Sequence, residues 1–357
     1  MKYILLLLII QFQLVFAQNI ELENKDLINY YDFINKAELA IVDNKLNDAD
    51  NLYKHAFQIF KYPHAKDIYN SMIVALKIGD HKNSYSQFRA LQCLGYPFDK
   101  SFIRDNFKSF HAASEKCTIH LNLKYKSTLD SLYLIDQSSR RLSNGNYKKY
   151  QKEITRNDSI TSVNLFRLIK QNGFPNEYNI GIYEKSDISL QKFYFIIWHQ
   201  LATNIYSSQK VNFSEVLNEA LNSGKITPQN AAFLYDLNNG TNSFSSQHFN
   251  ILGFVTSNGT DQPLRNQVIS NTAHTECCFV HVWFFPEKRN EKAKQIVGRI
   301  NESRKRIGLP DLDSQLAKDK FYIKNKEYIF QGIPVKQEVM EDNAKVEFLK
   351  KNLIKLQ

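Results

Sequence analysis

The sequence predicts a mainly α-helical protein with one small β segment. Gly (12) and Pro (8) are scarce in a chain of 357 residues, which disfavours a turn-rich sandwich or barrel. Apolar residues recur at helical spacing along most of the chain, whereas strand-like patterns occur only between residues 249 and 285. The hydrophobic content of 43% and the charged content of 23% are typical of globular proteins and exclude a disordered or multi-span membrane chain. The length suffices for two ordinary domains.

The first 17 residues have the pattern of a secretory signal peptide. Lys2 precedes an apolar run from Ile4 to Ile10, and small residues stand at Val15 and Ala17. We therefore expect cleavage after Ala17 and an exported protein, either periplasmic or secreted. A membrane anchor is disfavoured because Gln11 interrupts the run before the roughly 20 residues that a span needs. Since no later stretch is long enough either, we predict no transmembrane segment in the mature chain.

Residues 18–120 have a helical pattern that repeats. Apolar residues lie at helical spacing from Ile28 to about Lys116, with breaks at Asn44 and Gly79. The two breaks are about 35 residues apart, close to the ~34-residue period of tetratricopeptide repeats. The stretch resembles two degenerate hairpins of this repeat family, although an ordinary helical bundle would show the same periodicity. The resemblance implies a concave surface for a protein partner, or a simple spacer.

Residues 121–330 are predicted to form a second helical domain that contains the β segment. Capping residues, apolar stripes and terminating Gly or Pro residues mark its helices. The predicted helices are Asp158–Asn172, with Asp158-Ser159 as its N-cap pair, Ile188–Tyr206, Phe213–Asn222, Thr227–Leu237 and Glu287–Ile307. The strand-like runs Ile251–Thr256 and Phe279–Phe285 favour a hairpin or an extended excursion. In the last region, residues 331–357, Val339–Leu356 is predicted to be one basic amphipathic helix.

Four cysteines occur in a chain that we expect to be exported, where oxidation is possible. Cys93 and Cys117 could form a disulfide between neighbouring helices, and buried free cysteines are the alternative. Cys277 and Cys278 are adjacent in sequence and are not expected to pair with each other. The run from His274 to His281 holds metal-ligand residue types but fits no standard zinc spacing, so a plain strand is favoured. We therefore predict no metal site and no cofactor.

The formal net charge of the chain is +10. Its basic residues are scattered among Asn, Asp and Glu residues and form no dense block, which is typical of a solvated surface. An exported protein also seldom meets DNA. We therefore predict no nucleic-acid binding.

A set of polar residues occurs in a distinctive order between Asp136 and Arg304. The order is Asp136 and Arg140, then Asp158 and Asn164 before Gly173-Phe174-Pro175, then His199, Asp236 and Gln247, and finally Arg304 before Gly308-Leu309. On this order, residues 130–312 resemble an uncharacterised bacterial domain family. The chain departs from the family pattern at Trp198-His199-Gln200, where Gln-His-Ala is usual, and after Gln247, where Tyr-Gly is usual. The resemblance implies candidate residues and no reaction.

The candidate residues fall into two groups. The catalytic candidates are His199, Asp236 and Asp136. The ligand-binding candidates are Arg140, Asn164, Gln247 and Arg304. His199 would be the general acid and base, because imidazole suits proton transfer near neutral pH, and either arginine could hold an anion. Each candidate also has a structural alternative, such as a core histidine, a loop-anchoring aspartate, a packed asparagine or a surface ion pair.

Two functions are compatible with these patterns. The first is an exported protein-interaction module of the bacterial envelope, with a protein partner bound by the N-terminal helical repeats. The alternative is an enzyme or small-ligand binder whose polar site lies in the C-terminal domain. The sequence has no phosphate-binding loop, no nucleophile elbow and no metalloprotease motif, which favours the first function.

Overall fold

The structure is a computed structural model that describes residues 20–108, 117–200, 209–246, 251–330 and 336–356. Within these ranges the protein is mainly helical with a small four-stranded sheet, as the sequence predicts. The expected signal peptide lies outside the described residues. No helix of the described ranges combines the length and the apolar character that crossing a lipid bilayer would require.

The N-terminal part consists of consecutive helices that pack against their neighbours in sequence. They are α1 (Lys25–Val42), α2 (Leu46–Ile59), α3 (Ala65–Ile78), α4 (His81–Cys93) and α5 (Lys100–Phe107). The Asn24 side chain caps α1 by accepting hydrogen bonds from two backbone N–H groups. Both predicted turns are present, at Asn44 and at Gly79, where a φ of 81° ends α3 in the left-handed region. The packing of α1 on α2 and of α3 on α4 gives two helical hairpins.

The middle of the chain forms a second set of helices. They are α6 (Leu123–Ser143), α7 (Gln151–Asn172), α8 (Tyr194–Trp198), α9 (Ser214–Asn222) and α10 (Pro228–Asn239). The predicted N-cap at Asp158 is wrong, because α7 begins at Gln151 and Asp158 lies inside it. One continuous helix from Ile188 is also wrong. The Asp187 carboxylate accepts hydrogen bonds from the backbone N–H groups of Tyr183 and Glu184, which favours a short 3-10 turn there.

The C-terminal part combines helices with the sheet. Its elements are β1 (Leu252–Thr256), α11 (Leu264–Ile269), β2 (His274–His281), α12 (Glu291–Arg306), α13 (Leu312–Lys324), β3 (Lys336–Val339), α14 (Asn343–Lys350) and β4 (Leu353–Lys355). The strand order is β3-β1-β2-β4. Strands β1 and β2 are antiparallel, so of the two expected arrangements the hairpin is present, while β3 is parallel to β1 and β4 is antiparallel to β2. The predicted strand Phe279–Phe285 is wrong beyond His281, because Val282–Phe284 form a 3-10 turn in which the His281 side chain accepts from the Trp283 N–H.

The prediction of one helix over Val339–Leu356 is wrong. Only α14 is helical, and strands β3 and β4 precede and follow it. The edges of the β1–β2 hairpin offer unpaired backbone groups, which the two flanking segments satisfy by joining the sheet. Asp342 sets the start of α14, because its carboxylate accepts from the backbone N–H groups of Ala344 and Lys345.

The largest hydrophobic core of the described residues draws side chains from Ile20 to Phe330, and two smaller cores lie at the sheet. The N-terminal hairpins therefore share their core with the helices that follow. The Asn35 side chain donates to the carbonyl of Gly308 at 3.0 Å, and α1 packs against α13. The Asn70 side chain exchanges two hydrogen bonds with the backbone of Ile329. One face of the hairpins is thus covered by later parts of the same chain.

The four cysteines form two bridges. The sulfur atoms of Cys93 and Cys117 lie 2.10 Å apart and link the end of α4 to the segment before α6. Cys277 and Cys278 are also bridged, so the expectation that neighbours would not pair is wrong. That expectation rested on the strain of a bridge between adjacent residues; in the structure their peptide bond is cis and their Cα atoms lie 3.0 Å apart.

Candidate functional site

Three of the predicted site residues meet at one place, together with Asp158. The Nδ1 atom of His199 lies 3.0 Å and 3.1 Å from the two carboxylate oxygens of Asp136. The Arg140 guanidinium binds Asp158 through two hydrogen bonds, of 2.6 Å and 2.8 Å. The same guanidinium lies 3.6 Å from Asp136. The four side chains form one continuous polar cluster, which we call the Asp–His cluster.

The packing of two helices explains how this cluster forms. Asp136 and Arg140 are one turn apart on α6, so their side chains lie on the same face of the helix. Helix α7 packs against that face and brings Asp158 within reach of Arg140. Gln200 joins the next segment to α7, because its side-chain amide donates to the backbone carbonyl of Asp158 at 3.2 Å. The residue before Gln200 is His199, which is thereby held beside the two carboxylates.

Burial strengthens the electrostatic interactions between the side chains of the Asp–His cluster. Asp136 is 0% and Asp158 is 2% exposed, so both carboxylates depend on their protein partners. Gln137 donates from Nε2 to Asp136 at 2.6 Å. Burial raises the pKa of the Asp158 carboxyl, and the hydrogen-bonded Arg140 acts in the opposite direction. With one arginine and two aspartates, the cluster has a net charge of −1 when His199 is neutral and 0 when it is protonated.

The geometry assigns distinct chemical tasks to the two nitrogen atoms of His199. A carboxylate is a hydrogen-bond acceptor only, so Nδ1 must donate its proton to Asp136. In the neutral ring the lone pair is then on Nε2. The His199 side chain is 17% exposed, while its carboxylate partner is fully buried. This is the arrangement of a general base that a buried acid orients.

The cluster also contains a possible metal-ligand set. One atom each from Asp136, Asp158 and His199 lies within 4.8 Å of the others, and carboxylate and imidazole groups are common ligands of divalent metals. Arg140, however, engages both oxygens of Asp158 and already supplies a positive charge. A cation at this place would have to share the Asp158 carboxylate with that guanidinium and would be repelled by its charge. The contacts therefore fit an acid–base site better than a metal site.

Asp236 lies elsewhere, under a loop that its carboxylate organises. It accepts hydrogen bonds from the Thr241 hydroxyl and the Ser243 amide at 2.8 Å each, from the Phe244 amide at 3.2 Å and from the Ser246 hydroxyl at 3.1 Å. Asp236 is 0% exposed. These contacts match the structural alternative of an aspartate that anchors the loop after α10.

Arg304 is fully buried, and its guanidinium forms hydrogen bonds with other groups of the protein. It donates to the backbone carbonyls of Pro310 at 2.7 Å and Phe244 at 2.9 Å, and to the Gln315 side chain at 3.3 Å. Burial lowers the pKa of Arg304 to about 10, so its guanidinium remains ionised at neutral pH. Its contacts tie α12 to the loop before β1 and leave no support for an anion-holding role.

Asn164 has no contact with the Asp–His cluster among the described residues. The Asn164 side chain is half-buried on α7 and accepts a hydrogen bond from Arg167 at 3.2 Å. Its neighbour Ile160 is 42% exposed, so the face that carries Asn164 is not a buried apolar stripe. Gln247 lies outside the described residues. Of the metal-ligand types on β2, Glu276 pairs with Lys350 and Lys355, and Cys277 and Cys278 are bridged to each other.

A second buried cluster joins the N-terminal hairpins to the rest of the chain, and sequence reasoning missed it. Glu38 accepts from Lys66 at 2.7 Å and from Lys318 at 2.6 Å. Lys66 also donates to Asp67, which accepts from the Tyr30 hydroxyl at 2.5 Å. Burial opposes the ionisation of Glu38, yet the two lysines outweigh it and lower the pKa of Glu38 to about 2. We call these residues the Glu38 cluster.

The Glu38 cluster borders a cavity of about 30 Å³, which is room for one or two water molecules. On its other side His64 bridges Tyr31, at 2.9 Å from Nε2, and Glu177, at 3.2 Å from Nδ1. Each ionisable side chain named here has a hydrogen-bond or ion-pair partner. We therefore interpret the Glu38 cluster as a structural network. The only sequence signal is that Glu38 and Lys66-Asp67 interrupt apolar helical stripes.

Comparisons with known proteins add no relative. The chain matches no protein-family model, no curated protein and no solved structure. The resemblances to an uncharacterised bacterial family and to tetratricopeptide repeats therefore stay predictions.

Proposed function

We propose that the Asp–His cluster is the acid–base site of an enzyme, in which His199 takes a proton from a bound ligand or from water. The observation that carries this proposal is the contact between His199 Nδ1 and the buried carboxylate of Asp136. It directs the lone pair of the neutral ring to Nε2. Proton transfer by a positioned histidine typically contributes a factor of about 10² to 10⁴ in rate.

In this proposal His199 is the catalytic residue and the other members position it. Asp136 holds the ring and would stabilise the imidazolium that forms when Nε2 takes a proton. The ion pair of Arg140 with Asp158 fixes α6 against α7 and compensates one of the two buried negative charges. Because both oxygens of Asp158 bind this arginine, the proposal assigns no anion to Arg140.

The interaction-module hypothesis has less support. A partner groove on the hairpins would need a free inner face, whereas α1 packs on α13 and shares its core with the helices in the middle of the chain. Export remains part of the proposal. The Cys93–Cys117 bridge supports it, because structural disulfides persist in oxidising compartments.

The test combines a spectroscopic and a kinetic measurement on the mature chain. Two-dimensional ¹⁵N–¹H spectra identify which imidazole nitrogen carries the proton. We expect an Nδ1-protonated neutral tautomer at His199 in the wild type and a loss of that preference in Asp136→Asn. A panel of p-nitrophenyl esters, phosphates and glycosides then reports turnover.

The expected kinetic result is turnover of at least one class, reduced about 100-fold or more by His199→Gln. His120→Gln is the matched control, since His120 is exposed and precedes α6, whose first residue lies more than three helical turns before Asp136. Circular dichroism verifies that each variant is folded. An Nε2-protonated neutral ring in the wild type, or equal turnover of His199→Gln and His120→Gln, would refute the proposal.

A further inference from the structure

The turn that joins α6 to α7 projects from the protein. Helix α6 ends at Ser143, α7 begins at Gln151, and the two helices pack against each other as a hairpin. Every residue from 144 to 149 is exposed, and so are Arg141 and Leu142 before them and Lys152 after them. No other part of the chain therefore covers this turn. We call residues 141–152 the basic tip.

Positive charge is concentrated at the basic tip. Its twelve residues include four basic side chains and no acidic one, and the basic residues are Arg141, Lys148, Lys149 and Lys152. In the described part of the chain none of the four forms an ion pair. The sequence separates Arg141 from Lys148 by six residues, and the turn brings the two ends of that segment to the same end of the hairpin. The tip therefore presents uncompensated positive charge to its surroundings.

Two large apolar side chains are exposed on the same turn. Leu142 is 71% exposed and Tyr147 is 58% exposed. Each is the sequence neighbour of a basic residue, since Leu142 follows Arg141 and Tyr147 precedes Lys148. Removing such side chains from water is favourable, so a partner that offers an apolar layer gains affinity from them. The tip thus combines positive charge with apolar side chains that project into solvent.

An anionic lipid bilayer matches both properties. Its phosphate groups attract basic side chains, and each lysine or arginine near such a surface strengthens binding about fivefold. Tyrosine is enriched at the interface of a bilayer, because its ring is apolar and its hydroxyl is polar, and leucine is buried in the same layer. Lysine side chains are long enough to hold their charge at the phosphates while their methylene groups contact apolar neighbours.

Other partners match the tip less well. A metal cation would be repelled by its charge. A nucleic acid would use the basic side chains but offers no apolar layer to Leu142 along its phosphate backbone. Protein interfaces are depleted in lysine and enriched in arginine, whereas three of the four basic residues of the tip are lysines. The combination of lysines with exposed Leu142 and Tyr147 therefore favours a lipid surface.

We propose that the basic tip docks the protein on the surface of an anionic lipid bilayer. Leu142 and Tyr147 enter the interfacial layer, and the four basic side chains contact lipid phosphates. Asp136 is six residues before Leu142 on α6, which is about 9 Å along the helix, so docking holds the Asp–His cluster near the bilayer. The inference is independent of the proposed acid–base function, because no residue of the tip belongs to that cluster.

Co-sedimentation of the mature chain with vesicles tests the proposal. Vesicles of phosphatidylcholine that contain about 30% phosphatidylglycerol are compared with vesicles of phosphatidylcholine alone. We expect binding to the anionic vesicles to be about tenfold tighter or more, and to be largely lost at about 0.5 M NaCl, because salt screens the charges. Equal binding to both kinds of vesicle, or binding to neither, would overturn the proposal.

Charge-reversal variants locate the binding. Lys148→Glu with Lys149→Glu is expected to weaken binding to the anionic vesicles about 25-fold or more. Lys292→Glu with Lys305→Glu is the matched control, because these two exposed lysines of α12 give the same change in net charge. Circular dichroism verifies that each variant is folded. An equal loss of binding in the two variants would show that net charge alone is responsible and would refute a site at the tip.

A leucine variant distinguishes a bilayer from a soluble polyanion. Leu142→Ser is expected to weaken vesicle binding about threefold or more, because it removes apolar surface from the interfacial layer. Leu123→Ser is the matched control, since Leu123 is 63% exposed and begins α6, about 28 Å along the helix from Leu142. Vesicle binding that is unaffected by Leu142→Ser, or affected equally by both leucine variants, would contradict insertion of the tip.

Oligothymidylate supplies phosphate groups without an apolar layer. Its binding is measured by fluorescence anisotropy and compared with vesicle binding, with both affinities expressed per phosphate. We expect oligothymidylate to bind more weakly than the anionic vesicles and to be insensitive to Leu142→Ser. Tighter binding of oligothymidylate than of the vesicles would assign the tip to a nucleic acid or another soluble polyanion and would overturn the lipid assignment.

Discussion

Asp236 and Arg304 hold opposite ends of the same residue, Phe244. The Asp236 carboxylate accepts from the backbone N–H of Phe244 at 3.2 Å, and Arg304 donates to its carbonyl at 2.9 Å. The sequence predicts both as site residues, whereas their contacts fix the loop that leads to Gln247. They can therefore belong to the same ordered polar pattern as His199 without touching a ligand.

Asp236→Ala is expected to destabilise the protein by about 3 kcal/mol. The substitution removes the acceptor of four hydrogen bonds and leaves the amide groups of Ser243 and Phe244 without it. Urea denaturation measures the loss. Asp261→Ala, at an exposed position, is the control and is expected to change stability by less than about 0.5 kcal/mol. An Asp236→Ala protein of normal stability that has lost turnover would instead place Asp236 in the chemistry.

Arg140→Gln is expected to cost about 3–5 kcal/mol, because it leaves the buried Asp158 carboxylate without its cation. The double variant Arg140→Gln with Asp158→Asn removes that charge as well, and we expect it to recover a large part of the loss. Chemical denaturation of the two single variants and the double variant gives the coupling free energy. Simple additivity of the two single effects would contradict the pairing.

Glu38→Gln is expected to cost about 3–5 kcal/mol of unfolding free energy. It leaves Lys66 and Lys318 buried without the carboxylate that compensates them. Asp32→Asn is the matched control, since Asp32 forms an exposed pair with Lys36 and is expected to contribute at most about 1 kcal/mol. Equal melting temperatures for the two variants would show that Glu38 has no special role.

We expect acid to destabilise the protein by protonating Glu38. The folded-state pKa of Glu38 is about 2, below its ordinary value of 4.5, so its stabilising contribution is fully present above about pH 5. That contribution is lost as the pH falls towards 2, and the loss is on the order of 3 kcal/mol. The difference in unfolding free energy between wild type and Glu38→Gln should therefore shrink from pH 6 to pH 3. A constant difference would contradict the lowered pKa.

Removing the Cys93–Cys117 bridge is expected to destabilise the protein by about 3 kcal/mol, because the bridge closes a loop with a sequence separation of 24 residues. The variant Cys93→Ser with Cys117→Ser is compared with wild type by thermal denaturation without reductant. Cys277→Ser with Cys278→Ser is the control, since adjacent residues close almost no chain. A larger loss in the control would contradict the loop-closure argument.

Local patterns predicted local structure well. The turns at Asn44 and Gly79, the β1–β2 hairpin and the helical spacing of Asp136 and Arg140 are all readable from short stretches of sequence. The predictions were wrong where a tertiary contact decided the structure against a preference read from neighbouring residues in sequence. Asp158 has the residue type of an N-cap, but its partner is Arg140 on another helix.

The Glu38 cluster could not have been predicted in this way. Glu38 and Lys318 are 280 residues apart, and nothing within a helical window relates them. The same limit applies to the neighbouring rings of Tyr133, Phe195, Trp198 and Phe233, which come from α6, α8 and α10. Such clusters depend on which helix faces meet, and a single sequence does not contain that information in a readable form.

The contact between Glu38 and Lys318 also constrains the order in which the protein can fold. During synthesis Glu38 emerges early, whereas its second cation arrives 280 residues later. Until then the first helices hold a charge network that lacks one of its members, and burying it in that state is unfavourable. The early helices therefore gain part of their stability only when the late helix α13 supplies Lys318, so the two ends of the chain stabilise each other.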